Sequence, residues 1–200
     1  MTTRAGFIAL IGEPNAGKST LLNRMVGAKV SIVTHKVQTT RARIRGVALE
    51  GESQIVFVDT PGLFRPRRRL DRAMVAAAWG GAADADIVVL LIEAHRGLTE
   101  GVKAILEALK ERGSGQTVAL AINKIDRPGS RPDEVADLTF DLFCELNASD
   151  EQLDFPVVYA SALRGFAGLE DTVSEGDMQP LFRTIVDEVS PPRVNEEGPF

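Results

Sequence analysis

Apolar residues are grouped along the chain in six short stretches, which predict β-strands at about residues 6–12, 43–50, 54–59, 86–92, 117–122 and 156–160. The fourth and fifth stretches are almost continuously apolar, reading IVVLLI at 87–92 and VALAI at 118–122. Such runs are typical of parallel strands that are buried on both faces. Between the strands, apolar residues recur with helical spacing at about 18–27, 70–83, 99–112, 133–146 and 178–189. This alternation predicts an α/β fold with a mostly parallel six-stranded sheet and helices on both faces.

The second and third strands are joined by the short polar segment EGES at 50–53, which predicts a hairpin. The other strands alternate with helices, so we expect a single domain over residues 1–190. Residues 191–200 contain three prolines and few apolar residues, and they are interpreted as a linker or tail. Ligands of such sheets bind beyond the carboxyl ends of the strands, so polar residues that follow strands are the candidate site.

Composition narrows the class of protein. The 200 residues are 44% apolar and 26% charged, as in an ordinary globular domain, and the net charge of −5 argues against non-specific nucleic-acid binding by the whole domain. The single cysteine, Cys144, cannot form an internal disulfide and is expected to be a buried structural thiol. We see neither a membrane-spanning run nor a signal peptide in the sequence, and a reducing cytoplasm is the expected location.

The first candidate motif is GEPNAGKST at residues 12–20, between the first strand and the first helix. Glycines allow a tight turn whose N–H groups can surround a phosphate, and the following helix adds its positive dipole end. A lysine can reach the β- and γ-phosphates, and a serine hydroxyl can ligate Mg²⁺. The residues predicted to bind phosphate are Gly12, Asn15, Ala16, Gly17, Lys18, Ser19 and Thr20. The alternative is an ordinary glycine-rich turn before a helix.

Two further motifs are candidates for the γ-phosphate side of the site. Thr39 and Thr40 lie in the polar segment 31–42, where Thr40 can place its hydroxyl on Mg²⁺ and its N–H on the γ-phosphate. The segment DTPG at 59–62 follows the third strand, so Asp59 can hold Mg²⁺ through a water and the Gly62 N–H can bind the γ-phosphate. The alternatives are a solvated loop and a Pro-Gly turn.

Two motifs near the end of the chain can bind a base. Asn123, Lys124 and Asp126 follow the fifth strand; the aspartate can accept hydrogen bonds from N1–H and the N2 amine of guanine, and the lysine stem can lie on the base. Adenine offers no such pair of donors. Ser161, Ala162 and Leu163 follow the sixth strand, where a backbone N–H can meet guanine O6. ATP is the second choice of nucleotide.

Taken together, these motifs resemble those of P-loop GTPases, and the fold expected from the resemblance is a GTPase G domain. Residues 1 to about 125 resemble the Era GTPases in GEPNAGKSTLLN, KVSIVTHKVQTTRARIRG, IVFVDTPGLF and RRLDRAMV. Later stretches, RPGSRPDEVADLTFDLF, ELNASDEQLDFPVVYASAL and GFAGLED, resemble the G domain of BipA, also called TypA. The hypothesis is a hybrid with a join near residues 122–127, recombined by design, and the alternative is a natural recombinant.

The resemblance implies slow, Mg²⁺-dependent hydrolysis of GTP. Many GTPases carry a glutamine just after the DxxG glycine, where this chain has Leu63, which cannot orient water. Era-like enzymes share this departure, and the resemblance implies that K⁺ neutralises part of the transition-state charge, with Asn15 as its ligand. The alternative for Asn15 is a side chain that stabilises the turn. Lys18, Thr40, Gly62 and Asn15 are the catalytic set implied. The parent families also imply a ribosome or rRNA partner, and we expect a monomer without membrane contact.

Three functions stay open at this point. The first is a GTPase domain, and the second is a GDP/GTP-binding module with negligible turnover. The third is a designed object with no cellular task, in which the sites persist because both parents carry them.

Overall fold

The computed structural model describes residues 4–33, 43–64, 66, 68–112 and 117–188. The strands in these ranges are β1 Arg4–Gly12, β2 Ile44–Glu50, β3 Ser53–Asp59, β4 Ile87–Glu93, β5 Thr117–Asn123, β6 Val157–Ser161 and β7 Phe166–Gly168. The helices are α1 Lys18–Val26, α2 Arg69–Ala83, α3 Glu100–Arg112, α4 Pro132–Glu145, α5 Asp150–Leu153 and α6 Gln179–Glu188.

Within the described ranges the strands form one sheet in the order β2-β3-β1-β4-β5-β6-β7. The five strands from β3 to β6 in this order are parallel, whereas β2 pairs antiparallel with β3 and β7 antiparallel with β6. The predicted α/β fold, with a mostly parallel sheet and a hairpin at β2–β3, is therefore confirmed. Parallel strands end at the same edge of the sheet, so the segments that follow β1, β3, β5 and β6 meet there.

The sheet has seven strands in the described part of the chain, one more than the sequence predicted. The additional strand, β7, has three residues, which is too short for an alternating pattern, and its place is set by pairing of Phe166 with Ser161 of β6. The short helix α5 was also not predicted; Ser149 and Gln152 form a capping box at its start.

Side chains of both faces of the sheet are buried. One face of β1 and β4 packs with α1 and α6, and the opposite face packs with α2, α3 and α4. All seven residues of β4 are buried, as expected for a central parallel strand. None of the helices in the described ranges is long and apolar enough to cross a membrane.

The expectation for the single cysteine was wrong. Cys144 is exposed, because it lies on the outer side of α4, whose buried residues are Val135, Thr139 and Phe143. An apolar helical pattern identifies an inward face, but a single residue beside that face can point outward.

Candidate functional site

The loop between β1 and α1 is shaped by residues with positive φ. Gly12 has φ 144°, Asn15 has φ 67°, and Gly17, which precedes α1, has φ 105°. A Cβ atom on Gly12 would lie 2.6 Å from the backbone oxygen of Leu91, so only glycine fits there. The loop thus curls around the N-terminus of α1, whose first N–H groups have no partner within the helix.

Lys18 is buried and folded across this loop. Its Nζ donates to the backbone oxygens of Gly12 at 3.0 Å and Glu13 at 2.8 Å. Burial lowers the pKa of Lys18 from 10.5 to about 8, although the carboxylates of Asp59 and Glu13 favour the charged form. An ammonium group has three N–H donors, so these two bonds leave one for an anion in the loop.

A cluster of oxygens lies beside Lys18. The hydroxyl of Ser19 donates to Oδ2 of Asp59 at 2.6 Å, and the hydroxyl of Ser31 donates to the same oxygen at 2.8 Å. Asp59 has no exposed surface. Mg²⁺ prefers oxygen ligands, and a hydroxyl and a carboxylate held side by side fit it. The predicted third ligand, Thr40, lies outside the described residues.

Ser31 was not among the predicted site residues. The side chain of Asn23 in α1 holds the Ser31 backbone in place. Nδ2 of Asn23 donates to the backbone oxygen of Ser31 at 2.8 Å, and Oδ1 accepts the backbone N–H groups of Val30 and Ser31 at 2.9 and 2.8 Å. The sequence marked the segment 31–42 as polar, but it did not show which hydroxyl would approach Asp59.

The segment after β3 lies directly on the phosphate loop. The N–H of Leu63 donates to the Gly12 oxygen at 2.9 Å, and a Cβ atom on Gly62 would lie 2.8 Å from backbone atoms of Pro14. The Thr60 hydroxyl donates to the Leu10 oxygen at 2.7 Å. The side chain of Leu63 is only 3% exposed and packs in the core. The position at which many GTPases carry glutamine is therefore turned inward.

Asn123, at the end of β5, connects the phosphate loop to the loop after β6. Its Nδ2 donates to the Ala16 oxygen at 2.9 Å, and its Oδ1 accepts the N–H of Ala162 at 3.1 Å. Asn123 is 1% exposed, and a Cβ atom on Gly17 would collide with its amide. One buried side chain thus holds together segments that are 146 residues apart (162 − 16).

Lys124 is held at its charged end. It has φ 64°, and its Nζ donates to the Asn15 oxygen and to Oε2 of Glu93, both at 2.6 Å. Arg127 binds the other Glu93 oxygen at 2.9 Å. The sequence reasoning missed Glu93 and Arg127. The signal that could have found Glu93 is a charged residue at the end of the otherwise apolar strand β4.

Asp126 lies at the mouth of the site, with its side chain 12% exposed and Oδ2 3.7 Å from Nε of Arg164. Ser161 is fully buried, and its hydroxyl accepts the N–H of Arg164 at 3.2 Å. The Ala162 N–H, one of the backbone donors in the segment predicted to meet guanine O6, is hydrogen-bonded to Asn123.

All these segments border a single cavity of about 510 Å³. The predicted site residues that line it are Asn15, Gly17, Lys18, Ser19, Thr20, Gly62, Asn123, Lys124, Asp126, Ala162 and Leu163. Gly12, Ala16, Asp59 and Ser161 lie behind this lining and bond to it or to its neighbours. Further lining residues that were not predicted are Pro14, Val33, Thr60, Glu93, Arg96 and Arg127. The cavity therefore joins the loop predicted to bind phosphate to the segments predicted to bind a base.

A sequence model described as "50S ribosome-binding GTPase" matches residues 7–124. The chain is 86% identical over 126 residues to the GTPase Era of Dinoroseobacter shibae, which is 62% of this chain and 41% of that protein. It is 52% identical over 171 residues to the GTPase Era of Agrobacterium fabrum, which is 86% of this chain and 50% of that protein. The chain thus spans half or less of the length of these two relatives.

Solved structures of Era proteins share the fold. An Aquifex aeolicus Era variant bound to GDP and AlF4⁻ superposes with a TM-score of 0.77 at 31% identity, covering 98% of this chain and 60% of that one. An Era in complex with MgGDPNP and a segment of 16S ribosomal RNA gives the same score and identity.

Proposed function

Because the chain belongs to the family of 50S ribosome-binding GTPases, whose model covers residues 7–124, we propose that it binds GTP in the cavity and hydrolyses it to GDP and phosphate. The fold is a P-loop GTPase G domain of the Era type. The observation that carries the proposal is the bridge made by Asn123, which binds the phosphate loop at Ala16 and the base loop at Ala162. A nucleotide in the cavity would therefore contact both loops at once.

The phosphates belong at the loop between β1 and α1. Lys18 and the first N–H groups of α1 would neutralise and orient the β- and γ-phosphates. The Ser19 hydroxyl directly, and Asp59 through a water, would hold Mg²⁺, which supplies charge neutralisation at the phosphate oxygens. The 2.6 Å contact between these two side chains supports the pairing. Thr40 and the N–H of Gly62 complete the proposed contacts on the γ-phosphate side.

The base belongs between Lys124 and the loop after β6. Asp126 would accept hydrogen bonds from N1–H and the N2 amine of guanine, which adenine cannot supply. The stem of Lys124 would cover one face of the base, because its charged end is held by Glu93 and the Asn15 oxygen. Guanine is thus preferred to adenine, and ATP is the weaker candidate.

Hydrolysis is proposed to be slow. The residue after Gly62 is the buried Leu63, so the chain has no glutamine at this position to orient the attacking water. We propose that K⁺ supplies part of the missing charge and that Asn15, which is exposed and lines the cavity, is its ligand. Phosphate release should then be faster in K⁺ than in Na⁺, and Asn15→Ala should remove that difference. Unchanged K⁺ dependence in Asn15→Ala would reject this role.

Single-turnover hydrolysis of GTP, with the affinity for GDP measured in parallel, tests the enzymatic proposal. We expect tight GDP binding together with Mg²⁺-dependent phosphate release. Tight GDP binding without phosphate release would instead indicate a binding module with negligible turnover, and no binding of either nucleotide would reject both.

We also propose that the chain is a hybrid of two G-domain sequences within one domain at 1–190, with residues 191–200 as a linker. The 86% identity to one Era covers 126 residues, whereas 52% identity to another covers 171. A join near 122–127, followed by a BipA/TypA-like segment, would account for an alignment of high identity that covers only 126 residues. Comparison of residues 127–188 alone with both families tests it, because a higher similarity to Era would reject the join. The same gene in a natural genome would reject a man-made origin.

Partners are proposed from the family. Its description names the 50S ribosome, and one solved relative carries 16S ribosomal RNA. Of the basic run at 65–69, Arg68 and Arg69 are described and are exposed. We propose a cytoplasmic monomer whose contact with rRNA is weak, and that the side chains of Arg68 and Arg69 are solvated. Filter binding to a 16S rRNA fragment with GTP or GDP, and sedimentation without RNA, test these statements.

A further inference from the structure

Arg24, in the last turn of α1, reaches across to the loop after β6. Its Nη2 donates to the Leu163 oxygen at 2.7 Å, and its Nε donates to the Ala162 oxygen at 3.4 Å. A guanidinium group is charged at any relevant pH and has donors in a fixed fork, which suits two neighbouring carbonyls. The helix that starts at the phosphate loop therefore also holds the loop proposed to read the base.

The loop is shaped to admit this side chain. Gly165 has φ 86°, and a Cβ atom at this position would lie 2.8 Å from Cζ and Nε of Arg24. A residue other than glycine would be strained there and would also displace the guanidinium. The backbone of the loop at Gly165 is therefore shaped to accommodate the Arg24 side chain.

The two carbonyl contacts fix the peptide planes on either side of Leu163. In a planar trans peptide the C=O and N–H groups point in opposite directions. With the Ala162 carbonyl turned towards Arg24, the Leu163 N–H points away from Arg24, and Leu163 lines the cavity. The flanking N–H groups are occupied: Ala162 donates to Asn123, and Arg164 donates to Ser161.

We infer that Arg24 is a positioning residue for base recognition, which holds the Ala162 and Leu163 carbonyls so that the Leu163 N–H donates to O6 of guanine. This inference rests on the proposed binding of guanine nucleotide. It assigns the reading of O6 to the N–H of Leu163, because that of Ala162 is bonded to Asn123.

A purely structural role would also explain the contact. Arg24 is a basic residue in the last turn of α1, where it favours the helix, and it ties the β6–β7 hairpin to the helix. The two roles differ in what they do to nucleotide selectivity. Loss of a structural tie weakens binding of every guanine nucleotide, whereas loss of O6 reading weakens only nucleotides that carry a good acceptor at position 6.

The experiment compares the dissociation constants of GDP, 6-thio-GDP and inosine diphosphate for the unmodified chain and for Arg24→Met. The 6-thio analogue keeps N1–H and the N2 amine but replaces O6 with a poor acceptor, and inosine diphosphate keeps O6 but lacks the amine read by Asp126. Arg24→Met is expected to reduce the preference for GDP over 6-thio-GDP by about three- to tenfold, the effect of one hydrogen bond. The preference for GDP over inosine diphosphate is expected to stay unchanged.

Two further variants keep the result interpretable. Arg183→Met changes an exposed arginine of α6 in the same way and should leave all three affinities unchanged. Arg24→Lys keeps the positive charge but replaces the planar fork of donors with a single ammonium group, so it should retain part of the preference for GDP over 6-thio-GDP. Thermal unfolding identifies a variant that fails to fold, and in that case Arg24→Lys decides the question.

Equal losses for GDP and 6-thio-GDP in Arg24→Met would overturn the inference, and so would unchanged binding of both. In either case the unmodified chain still binds GDP and the proposed function stands. If the unmodified chain binds no GDP, the proposed function fails first, and the role of Arg24 with it.

Discussion

Replacement of Asn123 by alanine should weaken both the fold and the nucleotide site. The side chain is 1% exposed and satisfies two backbone groups, the Ala16 oxygen at 2.9 Å and the Ala162 N–H at 3.1 Å. Each buried backbone group left without a partner costs about 1–3 kcal/mol, so for two groups we expect the free energy of unfolding to fall by about 2–6 kcal/mol. For a domain of this size that corresponds to a fall in Tm of about 4–24 °C.

Differential scanning calorimetry measures the fall in Tm, and titration with GDP measures the loss of binding, which we expect to exceed tenfold because both loops lose their common tie. Gln54→Ala is the matched control, since it removes an exposed amide from β3 and should change the stability by less than about 0.5 kcal/mol. A fall in Tm for Asn123→Ala no larger than that of the control would refute the bridging role.

Asn123→Asp sharpens the test. The carboxylate can still accept the Ala162 N–H, but its second oxygen would lie about 2.9 Å from the Ala16 oxygen in place of a donor. Two buried oxygens without a proton between them repel each other, so this variant should be at least as destabilised as the alanine variant near neutral pH. Wild-type stability in Asn123→Asp would mean that the donor to Ala16 is dispensable.

Three further changes test separate parts of the site. Gly17→Ala should abolish GDP binding and lower the Tm, because the new Cβ would collide with the amide of Asn123. The control Gly27→Ala, at the other end of α1 with open space around it, should lower the free energy of unfolding by only about 1–2 kcal/mol, because of its positive φ. Equal effects of the two changes would contradict the collision. Asp126→Asn should shift the preference from guanosine diphosphate to xanthosine diphosphate in competition binding. The control Asp137→Asn, on the exposed side of α4, should not change this preference. If Asp126→Asn still prefers guanine, Asp126 does not bind the base. Leu63→Gln should lower the free energy of unfolding by about 1–3 kcal/mol and should not speed single-turnover hydrolysis, because the side chain at this position points into the core. Faster hydrolysis at unchanged stability would show that the glutamine side chain turns towards the phosphate.

Much of the fold followed from local pattern. The apolar runs of β4 and β5 identified central parallel strands, and their burial in the structure agrees. The glycines and the lysine of the phosphate loop were identified because a tight turn before a helix has a local signature. Strand β7 escaped prediction because its three residues carry no pattern of their own and are placed by pairing with β6.

The parts of the site that were missed depend on contacts between distant segments. Ser31 reaches Asp59 only because Asn23 folds the segment after α1 back on the helix. Lys124 and Arg127 meet Glu93 because β4 and β5 are neighbours in the sheet. Residue type and spacing name the groups that contact a ligand, but the groups that hold them in place become visible only in three dimensions.

The claim that one cavity binds both the phosphates and the base is tested most directly by a crystal structure of the chain with GDP and Mg²⁺. We predict that the diphosphate lies on the loop at 12–19 beside Lys18. The guanine should lie between the stem of Lys124 and the loop at Leu163, with its N1–H and N2 amine on Asp126. A nucleotide whose base lies away from Asp126, or whose phosphates lie away from Lys18, would contradict the claim.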